Sequence, residues 1–169
     1  MTEEQQRIRS YLTSQAAKLA PADIVDKVRA AMDQLGAAAR AVPAARFDDP
    51  PAPGEWSANE VMAHVLEAGR HFGGAIERLL DGRPPGAPRD AAARDTSRRP
   101  LNTWWAALER DRAGLFERVL RAEPTARLDG TVEHPFFGPL NWRETLLFMR
   151  LHDLDHAGQL QKIAGALAA

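Results

Sequence analysis

Apolar side chains recur at intervals of three and four residues along most of this chain. That spacing places them on one face of a helix, so the pattern predicts a mostly helical protein. Prolines separate several of the segments that carry the pattern. The predicted helical segments cover roughly residues 2–18, 21–42, 57–80, 102–123 and 141–165.

Two of these segments begin with a clear capping signal. Ser57 is followed three residues later by Glu60, and Asn141 is followed in the same way by Glu144. In such a capping box each side chain hydrogen-bonds a backbone N–H that the helix leaves unpaired. We therefore expect one helix to begin directly after Ser57 and the last helix to begin directly after Asn141.

Two connecting segments lack apolar periodicity. Residues 83–100 are rich in proline, arginine and alanine and are predicted to form a loop. Residues 125–140 contain two glycines and two prolines and are predicted to form an ordered loop, with a short hairpin as one option. Long helical segments without alternating strands indicate an all-α bundle.

The composition narrows the function classes. Basic residues number 22 and acidic residues 23, so no charge excess points to nucleic acid or an anionic membrane as a partner. Acidic residues lie between the arginines of the 83–100 loop, which also disfavours nucleic-acid binding. The absence of cysteine excludes disulfides and thiolate ligands. Because no segment has the length and apolarity of a membrane span or an export signal, we expect a cytoplasmic protein.

The last helical segment carries a candidate pair of metal ligands. His152 and His156 are one turn apart and about 40° apart around the helix axis, so both rings can reach one ion. Both stand at the edge of the predicted buried stripe. Gln159 shares their face, and Asp153 falls at the opposite edge among apolar neighbours. Gln159 and Asp153 are candidates for orienting the rings, and pairing with an arginine is the alternative for Asp153.

A third histidine has a similar position on another helix. His64 lies at the margin of the apolar face of the 57–80 segment, and His71 is nearly in line with it. If this segment neighbours the last one, His64 can join His152 and His156 around one ion. Three imidazoles leave coordination positions open for water or substrate. A partly exposed position without a site role is the favoured interpretation of His71.

The remaining candidates have simple structural interpretations. His134 lies in the 125–140 loop, where a hydrogen bond that stabilises a turn is the default and a role in the pocket is the alternative. The four tryptophans are expected to anchor the core rather than to hold a cofactor. These are Trp56, Trp104, Trp105 and Trp142.

Three stretches of the chain resemble the DinB superfamily. The run WSANEVMAHV at residues 56–65 is similar to the signature of the family's second helix. The run NWRE at residues 141–144, followed by HDLDHAGQ at residues 152–159, is similar to its C-terminal signature. Between them, HPFFGPL at residues 134–140 resembles a loop of many DinB-like proteins.

This resemblance implies a four-helix bundle of up-down-down-up topology, often dimeric. The bundle would comprise residues 21–169, with residues 1–20 as an additional N-terminal helix. The family's metal triad maps onto His64, His152 and His156, and the implied ion is nickel, zinc or iron. Asp153, Gln159, His134 and His71 are then candidates for contacts around the triad or in the pocket, and no catalytic residue beyond the ligands is implied.

The better-understood relatives are metal-dependent thiol S-transferases that use mycothiol or bacillithiol, including a maleylpyruvate isomerase. The leading expectation is therefore an enzyme in which a metal-bound thiolate attacks a small electrophile. The chain departs from this pattern in having no dedicated set of basic residues for a sugar-linked thiol. One alternative is a metal-dependent hydrolase with Glu67 as its base, and another is a non-catalytic bundle with a structural or ligand-binding metal.

Overall fold

The computed structural model describes residues 1–90 and 94–168. Over these residues the chain forms five long helices, one short 3-10 turn and a two-stranded hairpin. In chain order the elements are α1 (Glu3–Lys18), α2 (Pro21–Ala41), the 3-10 turn (Ala44–Arg46), α3 (Ala58–Leu80), α4 (Leu101–Arg121), β1 (Val132–His134), β2 (Gly138–Leu140) and α5 (Trp142–Leu167).

The helix boundaries follow the capping signals of the sequence. Ser57 caps α3 and Asn141 caps α5, and in each case the glutamate three residues on completes the box. Both boundaries agree with the prediction, and α5 extends two residues beyond the predicted end at Gly165. Thr2 caps α1 through a third box of the same kind, with Gln5 as its partner.

Side-chain contacts establish the direction of α2 and α3 relative to α4. The Trp104 indole of early α4 donates to Asn59 of early α3, and Arg118 of late α4 pairs with Asp81 at the end of α3, so α3 and α4 are parallel. The contacts between α2 and α4 show that these two helices are antiparallel. Gly36 meets Trp105 at the start of α4. Arg29, earlier in α2, lies over the Phe116 ring further along α4.

α3 and α5 are antiparallel. Early in α3, His64 meets His152, whereas Phe72 further along α3 meets Phe148, which precedes His152 in α5. Together with the α2 and α4 contacts, this gives the expected up-down-down-up bundle of α2, α3, α4 and α5. The hydrophobic core runs between these four helices, and α5 contributes several of its fully buried side chains, among them Trp142, Leu146 and Leu147.

Helix α1 packs along the outside of α5. Leu12 is fully buried in this contact, and Thr13 donates a hydrogen bond of 2.8 Å to Glu144. Arg150 of α5 donates to the Tyr11 hydroxyl at 3.1 Å. The division between residues 1–20 and the rest stays a prediction.

The two connecting segments have the predicted character. Residues 83–90 and 94–100 contain no helix or strand, and the part of the predicted loop at residues 91–93 lies outside the described residues. The short hairpin considered for residues 125–140 is present, with Val132 opposite Leu140 and His134 opposite Gly138. None of the helices in the described part of the chain is long and apolar enough to cross a membrane.

Candidate metal centre

Three histidine rings from two helices converge at one point of the bundle. α3 supplies His64, and α5 supplies His152 and His156. Nε2 of His64 lies 3.1 Å from Nε2 of His152, and Nε2 of His156 lies 3.2 Å from the same atom. The three residues offer nitrogen atoms that all lie within 4.8 Å of one another.

This arrangement fits the geometry of a three-histidine metal site. Imidazole nitrogens that bind one zinc ion at about 2.0–2.1 Å, with angles of about 90–110°, are separated by roughly 2.9–3.4 Å. The two measured separations at His152 fall in this range. The donor set also suits the borderline divalent metals that imidazole prefers. Within the described residues, His64, His152 and His156 are the group of histidine and acidic side chains that could hold a metal in this way.

A glutamine fixes the tautomer of one candidate ligand. Nδ1 of His156 lies 2.8 Å from Oε1 of Gln159, three residues further along α5. The amide oxygen can only accept, so Nδ1 carries the proton and Nε2 presents its lone pair to the cluster. This is the state in which an imidazole binds a metal, and such outer contacts commonly orient metal-binding histidines.

An arginine from the 83–100 loop contacts another candidate ligand. Nη2 of Arg89 lies 3.1 Å from Nδ1 of His64, on the side of the ring facing away from the cluster. Nε of Arg89 donates to Glu67 at 2.6 Å. The Arg89 side chain is 14% exposed, whereas that of Glu67 is 51% exposed. A guanidinium therefore lies at the edge of the site, held there by a carboxylate of α3.

Two of the three rings, those of His64 and His152, are held in their neutral form. Burial, followed by the charges of His156 and Arg89, lowers the pKa of His64 to about 4. Burial is also the main cause that holds the pKa of His152 well below 6.5, with the other two rings of the cluster adding to it. Neutral imidazoles repel a cation less than protonated ones, so the charge state of His64 and His152 favours a metal at neutral pH.

An open cavity borders the cluster on the side of His156. It has a volume of about 700 Å³ and lies between the 51–56 loop and the last turns of α5. Trp56 forms one wall, with its ring centroid 5.1 Å from that of His64, and Gln159 and Lys162 form another. A small molecule can therefore approach the cluster from solvent through this opening.

Aromatic rings close the opposite side of the cluster. The ring of Phe148 is 5.8 Å from that of His152 and 4.4 Å from that of His134. His134 stacks on Phe72 and on Phe137. Its Nδ1 accepts the backbone N–H of Phe136 at 3.1 Å, which is the turn-stabilising hydrogen bond expected as the default. His134 thus belongs to the aromatic wall and lies outside the candidate ligand set.

Asp153 and His71 also lie outside the ligand set. Asp153 is fully buried and forms a bidentate ion pair with Arg112 of α4, with distances of 2.7 and 2.9 Å. The arginine partner considered as an alternative from the sequence is therefore present. His71 is half-buried and its ring contacts that of Phe72 at 4.9 Å. Of the four residues proposed around the triad, Gln159 is the one that hydrogen-bonds a ring of the cluster.

Comparison with known proteins identifies the family. The model of the DinB superfamily matches residues 25–160, which include all three histidines of the cluster. The chain belongs to the DinB superfamily. Membership in this superfamily supports a metal-binding protein.

A solved structure supports the four-helix-bundle fold. This DinB protein is similar to TT2238, whose crystal structure is described as a four-helix bundle protein. The two share 27% sequence identity, with a TM-score of 0.64 over 84% of this chain and 98% of TT2238. A search of the curated proteins found no match.

The contributions of two residues to the site were not predicted from the sequence. Arg89 follows a proline in a loop without periodicity, and no local signal distinguishes it from the other arginines there. Trp56 was expected to anchor the core, and it does pack on the core, but its ring also forms a wall of the cavity beside His64. Its place directly before the Ser57 cap, eight residues from His64, was the available signal.

Proposed function

We propose that this DinB protein is a divalent-metal-dependent thiol S-transferase, with His64, His152 and His156 as the metal ligands. The observation that carries the proposal is the convergence of their Nε2 atoms at 3.1 and 3.2 Å beside an open cavity. The proposed ion is nickel, zinc or iron. A bound divalent ion supplies a Lewis acid that favours the thiolate form of a thiol held next to it.

The chain's own residues have three tasks in this proposal. The three imidazoles hold the ion and leave coordination positions for a small ligand. Gln159 keeps His156 in the metal-binding tautomer. The cavity bordered by Trp56 and Lys162 admits the thiol and the electrophile, and the aromatic wall at Phe148 restricts water on the opposite side.

The hydrolase alternative receives less support from the site. Its candidate base, Glu67, is paired with Arg89 and lies on the side of His64 that faces away from the cluster. A base must come within hydrogen-bond reach of the water that it activates. We therefore retain the S-transferase as the proposed function, with a small-molecule substrate. The homodimer and the cytoplasmic location stay predictions.

Cobalt substitution tests this proposal directly. Protein loaded with Co²⁺ is titrated with cysteine, glutathione, mycothiol and bacillithiol, and the absorption spectrum is recorded. At least one thiol should produce a sulfur-to-metal charge-transfer band in the wild type and in His71→Ala, which keeps the cluster intact. His64→Ala should show no such band. Stoichiometric cobalt binding with no band for any thiol would contradict the transferase and favour the hydrolase.

A further inference from the structure

The contact between Arg89 and His64 has a consequence for metal loading. A guanidinium has only hydrogen-bond donors and stays protonated at all relevant pH values. Because Nη2 of Arg89 is 3.1 Å from Nδ1 of His64, that nitrogen must present its lone pair. A neutral imidazole carries one proton, so the proton of His64 then resides on Nε2. This is the atom that faces the other two histidines.

The contact between His64 and His152 agrees with this assignment. Nε2 of His64 is 3.1 Å from Nε2 of His152, so its N–H can donate to that lone pair. Nε2 of His156 carries a lone pair as well, because its proton is on Nδ1, which donates a hydrogen bond to Oε1 of Gln159. One proton thus lies among the three Nε2 atoms, all of which must be unprotonated to bind a metal ion.

We propose that Arg89 controls metal loading: it holds His64 in the tautomer that does not bind metal, and metal binding displaces Arg89 from His64. For Nε2 of His64 to bind an ion, the proton must move to Nδ1. Two donors, N–H of His64 and N–H of Arg89, would then face each other. The contact must break, and the net number of protons on the ring does not change.

Glu67 provides a place for the displaced groups. Its carboxylate already accepts from Nε of Arg89 at 2.6 Å, so Arg89 remains tethered after it leaves His64. Glu67 lies three residues after His64 on α3, on the same side of the helix. A carboxylate in that position can accept the new N–H of Nδ1, as carboxylates commonly do behind metal-binding histidines.

The proposal for Arg89 rests on the proposed metal site. Zinc affinities of variants test it. The dissociation constant for Zn²⁺ is measured at one pH by competition with a chromophoric chelator. Arg89→Ala and Arg89→Gln should bind Zn²⁺ about 3- to 10-fold more tightly than wild type, since one hydrogen bond no longer has to be broken. Arg83→Ala is the matched control, because Arg83 lies in the same loop but pairs with Asp81. Its affinity should equal that of wild type.

Nitrogen-15 NMR of the metal-free protein gives a second, independent readout. His64 should carry its proton on Nε2 in the wild type and shift toward Nδ1–H in Arg89→Ala. Equal or weaker zinc binding by both Arg89 variants, or an unchanged His64 tautomer in Arg89→Ala, would overturn this proposal for Arg89. If no variant binds zinc stoichiometrically, the proposed metal function fails as well, so the two failures are distinguishable.

Discussion

Gln159 accepts a hydrogen bond from Nδ1 of His156 at 2.8 Å, one turn further along the same helix. This contact makes Nε2 of His156 a lone-pair donor before any ligand arrives. Because both residues lie on α5, three positions apart, the helical repeat brings their side chains to the same side of the helix. The orientation of this ring is therefore built into one element of the chain.

Removing this contact should weaken metal binding. Gln159→Leu leaves Nδ1 of His156 without its acceptor and allows the ring to rotate or change tautomer. We expect the affinity for Zn²⁺ to fall by about 10- to 100-fold, the usual effect of losing such an outer contact. Isothermal titration or chelator competition measures it. Lys162→Ala changes the same cavity without removing the hydrogen bond between Gln159 and His156, and it should bind zinc like wild type.

Retention of affinity in Gln159→Leu would show that the amide does not orient the ring. Gln159→Glu provides the opposite test. A carboxylate accepts the same N–H more strongly than an amide does. Its zinc affinity should therefore equal or exceed that of wild type.

The ion pair between Arg112 and Asp153 should be a main determinant of stability. The Arg112 side chain is 3% exposed and that of Asp153 is fully buried, so removing one partner leaves an uncompensated charge in the core. Arg112→Ala and Asp153→Ala should each lower the free energy of unfolding by about 3–5 kcal/mol. Urea denaturation of the metal-free protein measures this loss.

An exposed ion pair elsewhere in the bundle provides the control. Arg70 of α3 and Asp111 of α4 are 2.7 Å apart, and the Arg70 side chain is 58% exposed. Arg70→Ala should cost at most about 1 kcal/mol. In the double variant of Arg112 and Asp153 the loss should be smaller than the sum of the two single losses. Additive losses would contradict a direct interaction.

His134 should make the stability of the fold depend on pH. Burial, with a further contribution from Arg89, lowers its pKa to about 4 from 6.5. Between these values the unfolded chain binds a proton that the folded chain does not. The stabilisation is therefore complete above about pH 6.5 and is lost as the pH falls toward 4, by up to about 3 kcal/mol.

Replacement by phenylalanine isolates this contribution. His134→Phe keeps a ring stacked between Phe72 and Phe137 but cannot titrate. The free energy of unfolding, measured in metal-free protein from pH 7 to 4, should fall less steeply in the variant than in the wild type. Parallel curves for the two proteins would show that His134 has the same pKa in the folded and unfolded chain.

The sequence predicted the elements well because their signals are local. The capping boxes at Ser57 and Asn141 determine where α3 and α5 begin, since each needs only four consecutive residues. The position of His152 relative to His156 follows from the helical repeat in the same way. The start of α4 lacks a side-chain cap, and there the prediction placed the helix one or two residues late.

The contacts between elements could not be predicted from such local signals. His64 lies 88 residues before His152, so the helical pattern joined the two only on the condition that their helices are neighbours, and the resemblance to a known family supplied that condition. Arg112 is one of several charged residues in α4, and nothing in its neighbourhood marks it as the partner of Asp153. Arg89 lies in a loop whose path depends on the finished bundle. These contacts depend on how the helices pack together, and no single segment of the sequence determines that packing.

The most direct test of the metal centre is elemental analysis of the protein expressed without a histidine tag. We expect about one divalent metal ion per chain in the wild type and in His71→Ala, and a loss of that ion in His64→Ala, His152→Ala and His156→Ala. A wild-type protein without stoichiometric metal, or a His64→Ala variant with the same metal content as the wild type, would contradict it.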